Sequence, residues 1–186
     1  MRKLAGAALL VAALLQCAWA AEVDTAASKV TVKVEKSGLF SAFAHNHTIA
    51  APLASANLDT GKRTVELKFR AQEMKVLDPG VSDSERADIE RTMKSEKVLD
   101  PARFPEISFV STSVEADGAD HSTVRGDLTL HGVTKSIELP VSSSAKHYTG
   151  KVTLKQTEFG ITPVKIAGGA VRVKDAIEIE FDIVTK

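Results

Sequence analysis

The chain lacks several of the residues on which whole classes of protein depend. Its 186 residues include one cysteine, one tryptophan and one tyrosine, and aromatic residues make up only 5%. A single cysteine excludes a disulfide framework and a cysteine-based zinc site. The 24 Lys and Arg are balanced by 24 Asp and Glu, so the basic excess of a nucleic-acid-binding protein is missing. Hydrophobic residues reach 44%, which excludes a disordered chain and leaves a globular protein of about one domain.

A membrane-length apolar run is also missing. The longest run, within residues 4–15, is too short to span a bilayer. It follows the basic residues Arg2 and Lys3 and precedes Ala18-Trp-Ala20, a small-x-small cleavage pattern. This is the layout of a secretory signal peptide, so we predict that residues 1–20 are a signal peptide.

Removal of such a leader would leave residues 21–186 as one exported domain, periplasmic or secreted and not membrane-spanning. The only cysteine, Cys17, would be removed with the leader. Residues 21–186 would then contain no thiol that an oxidising compartment could oxidise. Lipidation of Cys17 is the alternative, but the residue before it, Gln16, is not small.

The mature region alternates apolar and polar residues with period two, the signature of half-buried β-strands. The clearest run has Ile177, Ile179, Phe181 and Ile183 on one face. Other runs of this kind lie at 29–36, 63–70, 124–130, 137–141 and 152–154. Turn residues separate them, so we expect an antiparallel sheet of roughly eight strands, as a sandwich or a closed barrel.

One segment departs from this alternation and predicts a helix. Residues 82–97 are polar, and Ser82 with Glu85 has the spacing of a capping box. Ile89 and Met93 form a narrow apolar stripe. We expect one helix of about four turns, packed against the sheet or across its mouth.

No constellation for catalysis is visible in the sequence. There is no Gly-x-Ser-x-Gly elbow and no glycine-rich phosphate loop, and Glu178, Glu180 and Asp182 fit a solvated strand face better than an acid/base set. His45 and His47 form a His-x-His pair that would face one side of a strand. Such a pair could ligate a metal with a third residue, or could be a polar loop entry near a barrel end.

Two motifs carry a family resemblance. Residues 99–112, LDPARFPEISFVST, resemble F-D-x-x-x-(Y/F)-P-x-I-x-F-x-S of the YceI-like family, and residues 124–135, VRGDLTLHGVTK, resemble its V-x-G-x-L-T-(I/L)-H-G-V-T-(K/R). Residues 158–161, EFGI, are similar to its late D-F-G-(I/L) segment. The resemblance covers essentially residues 22–184. It departs where many members have Arg before the late segment, because this chain reads Gln156-Thr-Glu158.

The resemblance implies an all-β, antiparallel, lipocalin-like barrel of about eight strands with one helix. It also implies export to the bacterial periplasm and binding of an isoprenoid lipid, such as a quinone or polyprenyl lipid, along an apolar lumen. No enzymatic activity, required cofactor or resident metal follows from it, and a homodimer is compatible with it.

We predict twelve lipid-binding residues from the motifs and from strand alternation. The motifs give Ile107, Phe109, Leu128, Leu130, Phe159 and Ile161. Alternation adds Val65, Leu67, Phe69 and Phe181, and the segment before His45 adds Phe40 and Phe43 at the entrance. Two other functions stay open. One is an exported metal-binding protein that uses His45 and His47, and the other is a filled barrel that acts through protein contacts.

Overall fold

The computed structural model describes residues 20–37, 46–166 and 171–186. Within these ranges it has twelve β-strands, one α-helix (α1, Asp83–Met93) and two 3₁₀ helices (Ala71–Glu73 and Gln156–Phe159). The strands are β1 (Ala20–Ala21), β2 (Lys29–Ser37), β3 (His47–Ala50), β4 (Leu53–Asp59), β5 (Thr64–Arg70), β6 (Lys75–Val76), β7 (Glu106–Ala116), β8 (His121–Leu130), β9 (Val133–Ser144), β10 (His147–Lys155), β11 (Lys165–Ile166) and β12 (Val171–Val184).

All of these strands belong to one antiparallel sheet in the order β1-β4-β5-β7-β8-β9-β10-β12-β2-β3-β6, with β11 beside β12. β3 continues into β4 through Ala51 and Pro52, so one stretch of chain joins opposite ends of the ladder and the sheet curls round on itself. The predicted antiparallel, barrel-like β fold with one helix is therefore confirmed. Eight strands have seven or more residues, and four shorter ones bring the number above the expected eight.

Strand alternation places apolar side chains inside the curl and charged side chains outside. In β2, Val30 and Val32 are buried, whereas Lys33 lies outside and donates to Glu180 of β12 at 2.6 Å. None of the helices in the described ranges is long and apolar enough to cross a membrane.

Two inward-facing aromatic rings lie directly on glycines of neighbouring strands. A Cβ added to Gly126 would lie 2.5 Å from Cζ of Phe109, and one added to Gly150 would lie 2.5 Å from Cζ of Phe181. The missing side chains therefore make room for rings on the inner face. Both phenylalanines are predicted site residues, and their positions depend on these glycines.

The helix begins as predicted. Ser82 is the N-cap, its Oγ accepts from the Glu85 amide at 3.3 Å, and the Glu85 carboxylate accepts from the Ser82 amide at 2.9 Å. This completes the capping box and satisfies two amides that the first turn leaves without partners.

The helix ends earlier than predicted, at Met93 instead of Lys97. Ser95 donates its hydroxyl to the carbonyl of Thr92 at 2.7 Å, and the Leu99 amide donates to the carbonyl of Met93 at 3.1 Å. These bonds replace the helical pattern with a turn, since a serine hydroxyl competes for backbone carbonyls. The turn buries both Met93 and Leu99.

The helix also covers the edge strand β6. The Glu90 carboxylate accepts from the Val76 amide at 2.9 Å, and Arg86 donates to the carbonyls of Val76 and Asp78, both at 2.9 Å. The hydrogen bond from Val76 lowers the pKa of Glu90, with a further contribution from Lys94. Helix side chains thus satisfy backbone groups that an uncovered edge strand would offer to another chain.

Candidate functional site

The inside of the curled sheet holds a cavity of about 620 Å³. This volume is typical of sites that bind a small molecule. Aliphatic and aromatic residues from β2 to β12 dominate the wall, and α1 adds Ile89 and Met93. The helix therefore lies across one end of the cavity, which is one of the two positions expected from the sequence.

Nine of the twelve predicted lipid-binding residues line this cavity. They are Val65, Leu67, Phe69, Ile107, Phe109, Leu128, Leu130, Ile161 and Phe181. The alternation of β5, β7, β8 and β12 brings eight of them to one inner face, although they come from distant parts of the chain. The ninth, Ile161, follows the 3₁₀ helix Gln156–Phe159. Their contact with a lipid stays a prediction.

The other three predicted residues do not fall on the described wall. Phe159 is only 1% exposed and is packed in the core behind the cavity, because the 3₁₀ helix Gln156–Phe159 turns it away from the strand face. Its neighbour Gln156 lines the cavity in its place. Phe40 and Phe43 lie outside the described residues.

The wall includes further residues that the site prediction missed. They follow the same alternation, on β2, β3, β9, β10 and β12, and include Val34, Ile49, Ile137, Leu139, Val152 and Ile179. The period-two pattern identifies such residues as inward-facing, but it does not separate a wall that faces a cavity from a packed core.

The cavity is polar at its two ends. His47 pairs with Val34, which pairs with Ile177, which pairs with Leu154, so His47 lies at the same level of the sheet as the end of β10. The polar wall residues at this end are His47, Asp88, Thr92 and Gln156. The polar wall residues at the opposite end, around the β4–β5 hairpin, are Asp59, Thr60, Arg63, Thr64, Ser122 and Tyr148.

A buried carboxylate holds the His47 side chain of the wall in position. Its Nδ1 lies 2.6 Å from Oδ2 of Asp78, and Oδ1 of Asp78 accepts from the Thr48 amide at 2.6 Å. The Asp78 side chain is 4% exposed and the His47 side chain 23%. Asp78 is absent from the cavity wall, so the carboxylate fixes the imidazole from behind.

The described part of the chain shows no set of ligands for the metal-binding alternative. No group of three His, Cys, Asp or Glu side chains within it could hold a metal ion. His47 bonds to Asp78, and His45 lies outside the described residues.

The carboxylates of β12 form ion pairs on the outer face, as expected of a solvated face. Glu178 accepts from Lys151 at 2.9 Å, and His147 contacts Asp182 at 2.9 Å. The hydrogen bond from Lys151 holds the pKa of Glu178 below its ordinary value. These groups lie outside the cavity and bridge neighbouring strands.

A family model for the YceI-like domain matches residues 22–185. The chain belongs to the YceI-like family. The matched residues include the whole curled sheet apart from β1, so the cavity is a feature of the YceI-like domain itself.

Relatives and solved structures agree with this assignment. A UPF0312 protein of Pseudomonas savastanoi pv. phaseolicola is 36% identical over 85 residues, and one of Shewanella oneidensis is 33% identical over 89 residues. These alignments cover 40% and 42% of this chain, and 44% and 47% of the relatives, so the match spans less than half the length of either. The crystal structure of BcnA from Burkholderia cenocepacia gives a TM-score of 0.69 at 19% identity, over 89% of this chain and all of that one. A YceI protein of Campylobacter jejuni gives 0.53 at 14% identity, over 66% and 72%. These two similarities establish the fold alone.

Proposed function

We propose that this protein binds and carries an isoprenoid lipid of the quinone or polyprenyl type in the cavity of its curled sheet. The observation that carries the proposal is a cavity of about 620 Å³ whose wall is almost continuously apolar between two polar ends. Each buried methylene of a tail contributes about 0.8 kcal/mol before the costs of ordering are subtracted. A long apolar tail therefore suits this wall better than a polar metabolite, which would lose its hydrogen bonds to water.

The same proposal makes the protein a binder and not an enzyme. The YceI-like family and its UPF0312 relatives suggest a non-catalytic role. We also propose that residues 1–20 direct export and are then removed, so that the carrier acts in the periplasm or outside the cell. The mass of the mature chain purified from the producing cell tests this step, because cleavage after Ala20 predicts Ala21 as the first residue.

Mass spectrometry of organic extracts from the purified protein tests lipid binding directly. We expect an isoprenoid lipid in stoichiometric amount, or its uptake when a quinone or polyprenyl lipid is added to the extracted protein. A protein that is repeatedly empty and takes up neither compound would overturn the proposal.

A further inference from the structure

The strongest unassigned feature of the cavity is the His47–Asp78 pair at the helix end of its wall. We propose that His47 anchors the polar end of the ligand and that this end is an uncharged hydroxyl, as in an isoprenoid alcohol, phenol or hydroquinone. This inference rests on the proposed lipid binding and adds the chemistry of the head group.

The first step is the direction in which His47 points. His47 and Ile49 of β3 both line the cavity, as residues two apart on one strand do when their side chains face inward. Nδ1 of His47 is engaged by Asp78 at 2.6 Å, and Asp78 lies outside the wall. The nitrogen left for the cavity is therefore Nε2.

The second step is the tautomer. Oδ1 of Asp78 accepts from the Thr48 amide, which is an obligatory donor, and Oδ2 is left as an acceptor for His47. Asp78 is held in place by Arg86, which donates to its carbonyl at 2.9 Å. An ionised carboxylate in this position keeps the proton of a neutral imidazole on Nδ1. In this neutral form of the ring, Nε2 presents a lone pair and accepts a hydrogen bond.

The third step is charge. The wall residues described near His47 include the Asp88 carboxylate, the Thr92 hydroxyl and the Gln156 amide, but no Lys or Arg. Arg63 is the one Lys or Arg of the described wall, and it lies at the opposite end with the β4–β5 hairpin. Among the described wall residues at this end, a phosphate at His47 would meet an acidic side chain and no Lys or Arg. An uncharged hydroxyl satisfies Nε2 without this repulsion.

The experiment compares two ligands that differ only in whether the phenolic oxygen carries a hydrogen or a methyl group. A geranylgeranyl-substituted phenol donates a hydrogen bond, and its O-methyl ether does not. Both are titrated at pH 8 into the lipid-extracted protein. We expect the phenol to bind about fivefold to tenfold more tightly, since one net hydrogen bond has that value. His47→Phe should remove the preference without weakening the binding of the ether.

Asp78→Asn provides the sharper test. The Thr48 amide must still find an acceptor, so the amide oxygen of the new side chain faces Thr48 and its NH₂ faces His47. The proton of His47 then moves to Nε2, which becomes a donor. We expect this variant to lose the preference for the phenol and to bind the corresponding quinone, a pure acceptor, more tightly than the wild type does.

The chain contains a matched control. His147 also contacts a carboxylate, Asp182, at 2.9 Å, but this pair lies on the outer face and is absent from the cavity wall. His147→Phe should leave all three affinities unchanged. Equal binding of phenol and ether by the wild type would overturn the head-group inference and leave lipid binding intact. Failure of the wild type to bind any of the three compounds would overturn both.

Discussion

A tryptophan in the middle of the cavity should shorten the lipid that the protein can hold. Val152 of β10 is half-buried, lines the cavity and pairs with Ile179, another wall residue. Val152→Trp would place an indole across the lumen, where the cavity offers space that a packed core would not. Far-UV circular dichroism should therefore remain unchanged.

The magnitude follows from the length of the wall. From Gln156 to Tyr148 the wall runs for about 27 Å along the strand, and Val152 lies about halfway, at about 3.4 Å per residue. Each five-carbon isoprene unit excluded beyond the indole loses about 4 kcal/mol of gross burial. The entropy cost of ordering the tail offsets most of this gross burial energy. A net loss of about 1.4 kcal/mol for each excluded unit corresponds to a tenfold weaker affinity per unit.

The assay is a competition titration of isoprenoid phenols of increasing tail length against a fluorescent apolar probe. We expect a tail that reaches two isoprene units beyond the indole to bind about 100-fold more weakly to Val152→Trp, and a geranyl tail to bind almost as before. Val110→Trp is the control, because Val110 is 47% exposed and outside the wall. Unchanged binding of long tails by a folded Val152→Trp, or an equal loss with Val110→Trp, would refute the idea that the tail lies along this wall.

Three further predictions concern the elements that shape the cavity. Gly150→Ala should lower the free energy of unfolding by about 1–3 kcal/mol in urea denaturation, because the new methyl would collide with the ring of Phe181 and with a backbone carbonyl; an unchanged midpoint would contradict the close approach. Ser82→Ala should lower it by about 1 kcal/mol and Ser82→Asp by much less, since only the alanine cannot cap the helix. Glu90 has a lowered pKa, so its stabilising contribution is present above pH 4.5 and is lost as the pH falls through the folded-state value. Glu90→Gln keeps an acceptor for the Val76 amide but cannot ionise, so the fall in stability below pH 4.5 should be shallower than in the wild type; identical pH profiles would rule out this role.

The strands were predictable where the pattern of apolar residues is local. Ile177 and Ile183 belong to an uninterrupted alternation, and β12 is found where that alternation predicts a strand. β4 was missed because its pattern is broken. Leu53 and Leu58 are both buried although five positions separate them, and a register shift between Leu53 and Ser55 reconciles this odd spacing with one buried face.

The site was predictable only as far as the alternation and the family motifs reach. Eight of the nine predicted residues that line the cavity do so because their strands present one face to it, and the ninth, Ile161, follows a 3₁₀ helix. Phe159 fits the late motif but is turned into the core by a 3₁₀ helix, which period-two reasoning does not include. The His47–Asp78 contact joins residues 31 positions apart, and it exists because β3 pairs with β6. Such a contact depends on the assembled sheet and has no local signature.

The helix and the proposed anchor form one connected unit. Arg86 donates to the carbonyl of Asp78, which fixes His47, while Ile89, three residues further along the helix, lines the cavity. The same helix covers the edge strand β6 through Glu90. A displacement of α1 would therefore open the apolar wall and release the backbone that positions His47 in one movement. A ligand that contacts both the apolar helix face and His47 would stabilise the docked helix by mass action, since it binds only the arrangement in which both are present.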